Sequence, residues 1–174
     1  MLKAMTSRRV RLTGGRFAIV ASRYNARFTD ALLRAARAGL RAAGASADVF
    51  RVPGAYEIPV VVAGLLAEGP RRFDAILCLG VIIRGETAHA DLIGRAVTDA
   101  LMWLQVDHAV PVVHEVLLLS DEAQARARCL GEFNRGHEAA QTALAMASLL
   151  RRLRGGARCP RRADGGPGPG RPTR

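Results

Sequence analysis

The chain has 174 residues, 49% of them hydrophobic, which is apolar material enough for one sizeable core and too little for two. Its formal charge of +11, from 26 Lys and Arg against 15 Asp and Glu, would by itself point to nucleic acid or an anionic membrane as partner. The excess sits at the ends: residues 1–15 carry Lys3, Arg8, Arg9 and Arg11 with no acid, and residues 151–174 carry eight arginines against Asp164, so residues 16–150 are electroneutral and neither partner is expected for the core.

After the basic arm, Phe17 to Ser22 (FAIVAS) is too continuously apolar for a sheet with one wet face and reads as a buried strand. From Ala26 to Ala43, Phe28, Leu32, Ala35, Gly39 and Ala43 recur at helical spacing, with Arg34, Arg37 and Arg41 on the other face and Gly44 as the stop. Asp48 to Val52 is a second strand, broken by Pro53-Gly54. Glu57 to Glu68 follows as a helix, Pro59 being tolerated in its first turn. Ala75 to Ile83 (AILCLGVII) is the most hydrophobic strand and belongs at the centre of the sheet. Asp91 to Val106 is helical, with Ile93, Val97, Ala100 and Leu104 on one stripe, and Pro111 to Leu118 is a fourth strand. Ser120-Asp121-Glu122 caps a helix reaching Cys129, and a last helix runs from Asn134 to Arg154. Beyond it, residues 155–174 have almost nothing to bury and are expected to be disordered.

No uncharged stretch approaches the roughly 20 residues that cross a bilayer, and no apolar run follows the basic N-terminus, so neither a membrane span nor a secretory signal is expected. Cys78, Cys129 and Cys159 form an odd set without a CxxC pair, which argues for a reduced, cytoplasmic protein and against a thiolate metal site. The spacing of His108, His114 and His137 gives no metal site either.

The alternation of strand and helix calls for a parallel sheet between helix layers, and in such folds ligands bind beyond the carboxyl ends of the strands. That rule selects Arg23 to Ala26, Pro53 to Glu57, Arg84 to Ala90 and the turn after Leu118. In the first loop Tyr24 is either an aromatic face for a planar ligand or a packing residue, and Asn25 a hydrogen-bonding group or a helix cap. In the second, Glu57 at a helix start either complements the dipole or accepts from a hydroxyl-rich ligand. In the third, Gly85 and Thr87 suit an anion at a helix N-terminus, without the glycine spacing or lysine of a nucleotide P-loop. His89 follows directly. Histidine titrates near neutrality, which suits proton transfer beside an anion subsite, although a lone loop histidine is also commonly just solvated. Arg128 is either a bidentate phosphate clamp or a solvated helix residue.

Together and in this order, the loops resemble the 6,7-dimethyl-8-ribityllumazine synthases of riboflavin biosynthesis. The likeness spans Phe17 to Leu150 and rests on Arg23-Tyr24-Asn25, Val52-Pro53-Gly54-Ala55-Tyr56-Glu57-Ile58-Pro59, Leu79 to His89 (LGVIIRGETAH), Gln124-Ala125 with Arg128, and Asn134-Arg135-Gly136. The resemblance implies an α/β fold: a flavodoxin-like three-layer sandwich with a four-stranded parallel sheet, formed by residues 16–154, with an N-terminal arm (1–15) adding a strand to a neighbour and a tail (155–174) outside the fold. It implies a homopentamer with active sites between adjacent subunits, alone or within a larger cage, and a place ahead of riboflavin synthase.

It further implies condensation of 5-amino-6-(D-ribitylamino)uracil with 3,4-dihydroxy-2-butanone 4-phosphate, without cofactor. Tyr24 would stack on the pyrimidine, Ala55, Tyr56 and Glu57 would hold it and the ribityl chain, and backbone at Val81, Ile82 and Ile83 would read its polar edge. Gly85, Glu86 and Thr87 would cradle the phosphate, Arg128 would close on it, and His89 would move protons. His114 stands, as His114-Glu115, where family members commonly have Phe-Gly, an aromatic that reaches the pyrimidine in the adjoining subunit's site. Leu118-Leu119 replace frequent threonines, Ala90 replaces a Phe or Tyr, and the segment from Arg128 to Asn134 is about one residue short. The alternative is a shell protein of the same fold that holds a flavin or lumazine without turnover. Specific nucleic-acid binding is not expected, because the tail's arginines lack interleaved aromatics.

Overall fold

The computed structural model describes residues 14–69 and 72–155. The expected arm strand, apart from Gly14 and Gly15, and the expected disorder of the tail beyond Gly155 lie outside the described residues. Four strands, β1 (Arg16–Ser22), β2 (Ser46–Val52), β3 (Ala75–Ile83) and β4 (Val112–Leu119), form one parallel sheet in the order β2-β1-β3-β4. The helices are α1 (Ala26–Ala42), α2 (Ile58–Ala67), α3 (His89–His108), α4 (Glu122–Cys129) and α5 (Arg135–Arg154).

The two central strands explain the continuous apolar runs, since alternate side chains enter two separate cores. Phe17, Ile19, Leu77 and Leu79 pack under α1, α4 and α5, whereas Ala18, Val20, Ile76 and Cys78 pack under α2 and α3. All eight are fully buried. The chain leaves β1 for β2 on one side and returns to β3 on the other, so the strand order reverses between β1 and β3 and opens a crevice at their carboxyl ends.

Element ends differ from the sequence expectation by a residue or two, for local reasons. β2 starts at Ser46, whose N–H donates to Gly15 O at 2.9 Å. β4 starts after Pro111, which has no N–H for the ladder. The helix expected over Glu57 to Glu68 divides into a 3-10 turn, Ala55–Glu57, and α2, with Pro59 in the first turn of α2. α3 begins at His89 instead of Asp91, its first turn closed by Leu92 N–H on Ala88 O at 3.1 Å.

Asn134, buried at the start of α5, accepts from Gly136 N–H at 2.8 Å and donates through Nδ2 to the carbonyls of Ala31 and Cys129. Asn134→Ala removes a helix cap and two buried hydrogen bonds, to the carbonyls of Ala31 and Cys129, and is expected to lower stability by about 2 to 4 kcal/mol. Urea unfolding of the variant against the native protein measures this. Among the described residues no helix is long and apolar enough to cross a membrane.

Candidate active site

The loops at the carboxyl crest are laced together by backbone. Arg23 N–H donates to Val52 O at 2.8 Å, and both Arg23 N–H and Tyr24 N–H donate to Pro53 O, at 3.1 and 3.0 Å. Asn25 occupies the N-cap position of α1 in a left-handed conformation, φ 55°, and its side chain does not cap the helix; Nδ2 instead donates to Val81 O at 2.8 Å. It thereby ties the first loop to β3.

Gly54 is where the second loop meets the first. Its N–H donates to Glu57 Oε2 at 2.8 Å. A Cβ at Gly54 would stand 2.8 Å from that same oxygen and 3.0 Å from Cδ2 of Tyr24, so the bare backbone is what allows ring and carboxylate to close on one spot. Glu57 is thus held in place by its own loop. The dipole role and a ligand-binding role are compatible here, since Gly54 engages one oxygen of two. Ala55 is buried, whereas Tyr24 and Tyr56 are 70% and 63% exposed, leaving two aromatic faces open on the crest.

On β3, Val81 is buried and Ile82 and Ile83 half-buried as the strand rises into the third loop. Arg84 N–H donates to Leu119 O at 2.8 Å, and its guanidinium grips Asp91 Oδ1 through Nε and Nη2 at 3.2 and 2.6 Å. This pair spans Gly85, Glu86, Thr87 and Ala88, all exposed, and fixes the loop's two ends. His89 opens α3, also exposed, with its N–H 3.5 Å from Thr87 Oγ1. An exposed loop that leads into a helix start is a natural place for an anion to meet backbone amides.

His114 is not brought to this crest. His114 pairs in register with Cys78, five residues short of Ile83, which is roughly 16 Å down the strand. Its Nε2 is 3.0 Å from Thr98 Oγ1 on α3. Although the residue is exposed, partial desolvation of its ring lowers the imidazole's pKa, outweighing the opposing pull of its own main-chain carbonyl. Arg128 is exposed near the end of α4, in the opposite helix layer, within electrostatic reach of Glu115 on β4. Both therefore flank β4, the last strand of the sheet. An open groove between α3 and β4, lined by Leu92, Arg95, Thr98, Val116 and Leu118, runs along the same flank.

Sequence reasoning missed one charged cluster. Glu115 is 4% exposed and accepts from Arg135 Nε at 2.8 Å, and Arg135 Nη1 also reaches Glu138 Oε2 at 2.5 Å. Burial raises the Glu115 carboxyl above its ordinary range, partly offset by Arg135. The available signal was an acid in a strand made, apart from His114, of Val and Leu. Among the described residues no group of three or more His, Cys, Asp or Glu is placed to hold a metal ion.

Residues 14–151 match the family of 6,7-dimethyl-8-ribityllumazine synthase. A protein of that name from Stenotrophomonas maltophilia is 45% identical over 142 residues, covering 79% of this chain and 90% of that protein. One from Azorhizobium caulinodans is 43% identical over 146 residues, 81% of this chain and 90% of the relative. One from Pyrococcus furiosus is 38% identical over 141 residues, 80% of this chain and 88% of its own. With the four-stranded parallel sheet and the crest loops in place, the chain belongs to the 6,7-dimethyl-8-ribityllumazine synthase family.

Proposed function

We propose that this protein condenses 5-amino-6-(D-ribitylamino)uracil with 3,4-dihydroxy-2-butanone 4-phosphate to 6,7-dimethyl-8-ribityllumazine, releasing phosphate and water. The observation that carries the reading is the crest itself, where Tyr24 and Glu57 close on Gly54 beside an exposed amide loop that ends at His89. Tyr24 offers a face to the pyrimidine, main chain at Val81, Ile82 and Ile83 reads its polar edge, and Ala55, Tyr56 and Glu57 take ring and ribityl hydroxyls. Gly85, Glu86 and Thr87 hold the phosphate through main-chain N–H groups. In this reading an amine is held beside a ketone, and proximity supplies much of the rate. The amine adds to the ketone carbon, water leaves to give an imine, phosphate departs, and ring closure releases a second water. His89 takes and returns the protons of these steps.

We infer further that the site is completed by an adjoining subunit, in a homopentamer, which supplies His114 to the pyrimidine and Arg128 to the phosphate. The separation of His114 from its own crest supports this, as do Leu92, Met102, Trp103 and Val106, large apolar side chains standing exposed along α3. Residues 16–154 carry the chemistry, and the setting is cytoplasmic. Purified protein given both substrates is expected to produce the lumazine chromophore well above the spontaneous rate. A rate equal to that background would leave only a non-catalytic binding protein of the same fold.

A further inference from the structure

The geometry points to Thr98 as a positioning residue for the pyrimidine subsite, acting through His114. This rests on the reading above, in which His114 faces the pyrimidine of an adjoining subunit's site. Thr98 lies on the α3 flank of the groove, and its hydroxyl is held twice: Oγ1 donates to Gly94 O one turn back at 2.8 Å and stands 3.0 Å from Nε2 of His114. The first bond fixes the hydroxyl rotor on the helix. The second fixes the imidazole to that rotor.

An exposed side chain on the last strand of a sheet ordinarily samples its rotamers freely, and an all-carbon ring there is held by packing alone. The hydroxyl substitutes a directional contact for that packing. Val116 and Leu118, the next two residues on the same face of β4, line the groove beyond it, and Leu118 closes over the bare backbone of Gly94. The helix face therefore approaches β4 closely at Gly94, bringing Thr98 one turn later within reach of the imidazole. Desolvation of the ring lowers its pKa, which favours the neutral aromatic form.

The decisive experiment is a cycle of Thr98→Val and His114→Phe with steady-state kinetics for each substrate. Thr98→Val keeps the shape and removes the hydroxyl; it is expected to raise KM for the ribitylaminouracil by roughly 3- to 10-fold, the worth of one hydrogen bond. Its kcat and its KM for the butanone phosphate should stay at the native values. Thr98→Ser restores the hydroxyl and the native KM. In the His114→Phe background, Thr98→Val should have no effect, because there is no imidazole left to hold. Equal effects in both backgrounds, or an unchanged KM for the pyrimidine in Thr98→Val, would overturn the assignment while leaving the proposed reaction intact. Ring resonances of His114 give a readout independent of turnover: one ordered imidazole in native protein and Thr98→Ser, conformational averaging in Thr98→Val. Absence of turnover in the native protein sinks the reaction alone, and identical resonances in all three proteins sink Thr98.

Discussion

Gly136→Ala is expected to destabilise the protein by about 3 kcal/mol or more, against the direction that helix propensity dictates. Gly136 lies in the first turn of α5 and is buried where α5 crosses α1. An added Cβ would press into the carbonyl oxygen of Leu32, stand 2.9 Å from its carbonyl carbon and 3.0 Å from Cβ of Ala35. These are backbone and stub atoms of a helix whose Leu32 is itself fully buried, so no flexible end can swing aside. One turn further along the same crossing, a Cβ on Gly39 would meet Cβ of Ala140 at 2.8 Å, which shows that the two helices touch along a seam. Separating them would open the core beneath α1 and α5. Gly64, on the exposed side of α2 with nothing within 4 Å of an added Cβ, supplies the opposite case. Gly64→Ala is expected to stabilise by about 0.5 to 1 kcal/mol through propensity and unfolded-state entropy. Urea midpoints of the two variants should therefore move in opposite directions. A Gly136→Ala protein as stable as the native one would mean that α1 and α5 do not pack this closely.

The fold was legible where each element carries its own signal. β3 and β1 are apolar on both faces because they lie between two helix layers, and a run such as AILCLGVII has no other stable home. β2, on the outer edge, is only partly buried along most of its length, which matches its mixed sequence and its start at Ser46, two residues before the expected Asp48. The crest motifs were legible for a related reason, since Pro53 to Glu57 and Gly85 to His89 are each contiguous in sequence. What joins them was not. Asn25 reaches Val81 across 56 positions, and Arg135 reaches Glu115 across 20. His114-Glu115 shows the limit plainly: adjacent residues on a strand face opposite layers, one toward Thr98 of α3 and the other toward Arg135 of α5. Their partners are set by packing, which local pattern does not encode.

His89→Ala is expected to lower kcat about 100-fold, at the lower end of what a positioned acid–base group contributes. The reasons for the lower end are structural. The variant keeps the exposed amide loop and the Arg84–Asp91 pair that spans it, and it keeps Tyr24 and Glu57 gathered at Gly54, so both reactants are still held side by side. What it loses is a group that can take a proton from the attacking amine and return one to the departing oxygen. His89 is exposed at the first residue of α3, and the 3.5 Å approach of its N–H to Thr87 Oγ1 is a main-chain contact that alanine retains. Stability should then change by less than about 0.5 kcal/mol, and KM for either substrate by little. Because the missing group is small and the position open to solvent, added imidazole is expected to restore part of the rate in proportion to its concentration. Single-turnover formation of the lumazine chromophore, with and without imidazole, measures both effects. A kcat within twofold of the native protein would remove His89 from the proton transfers and leave positioning as the source of the rate.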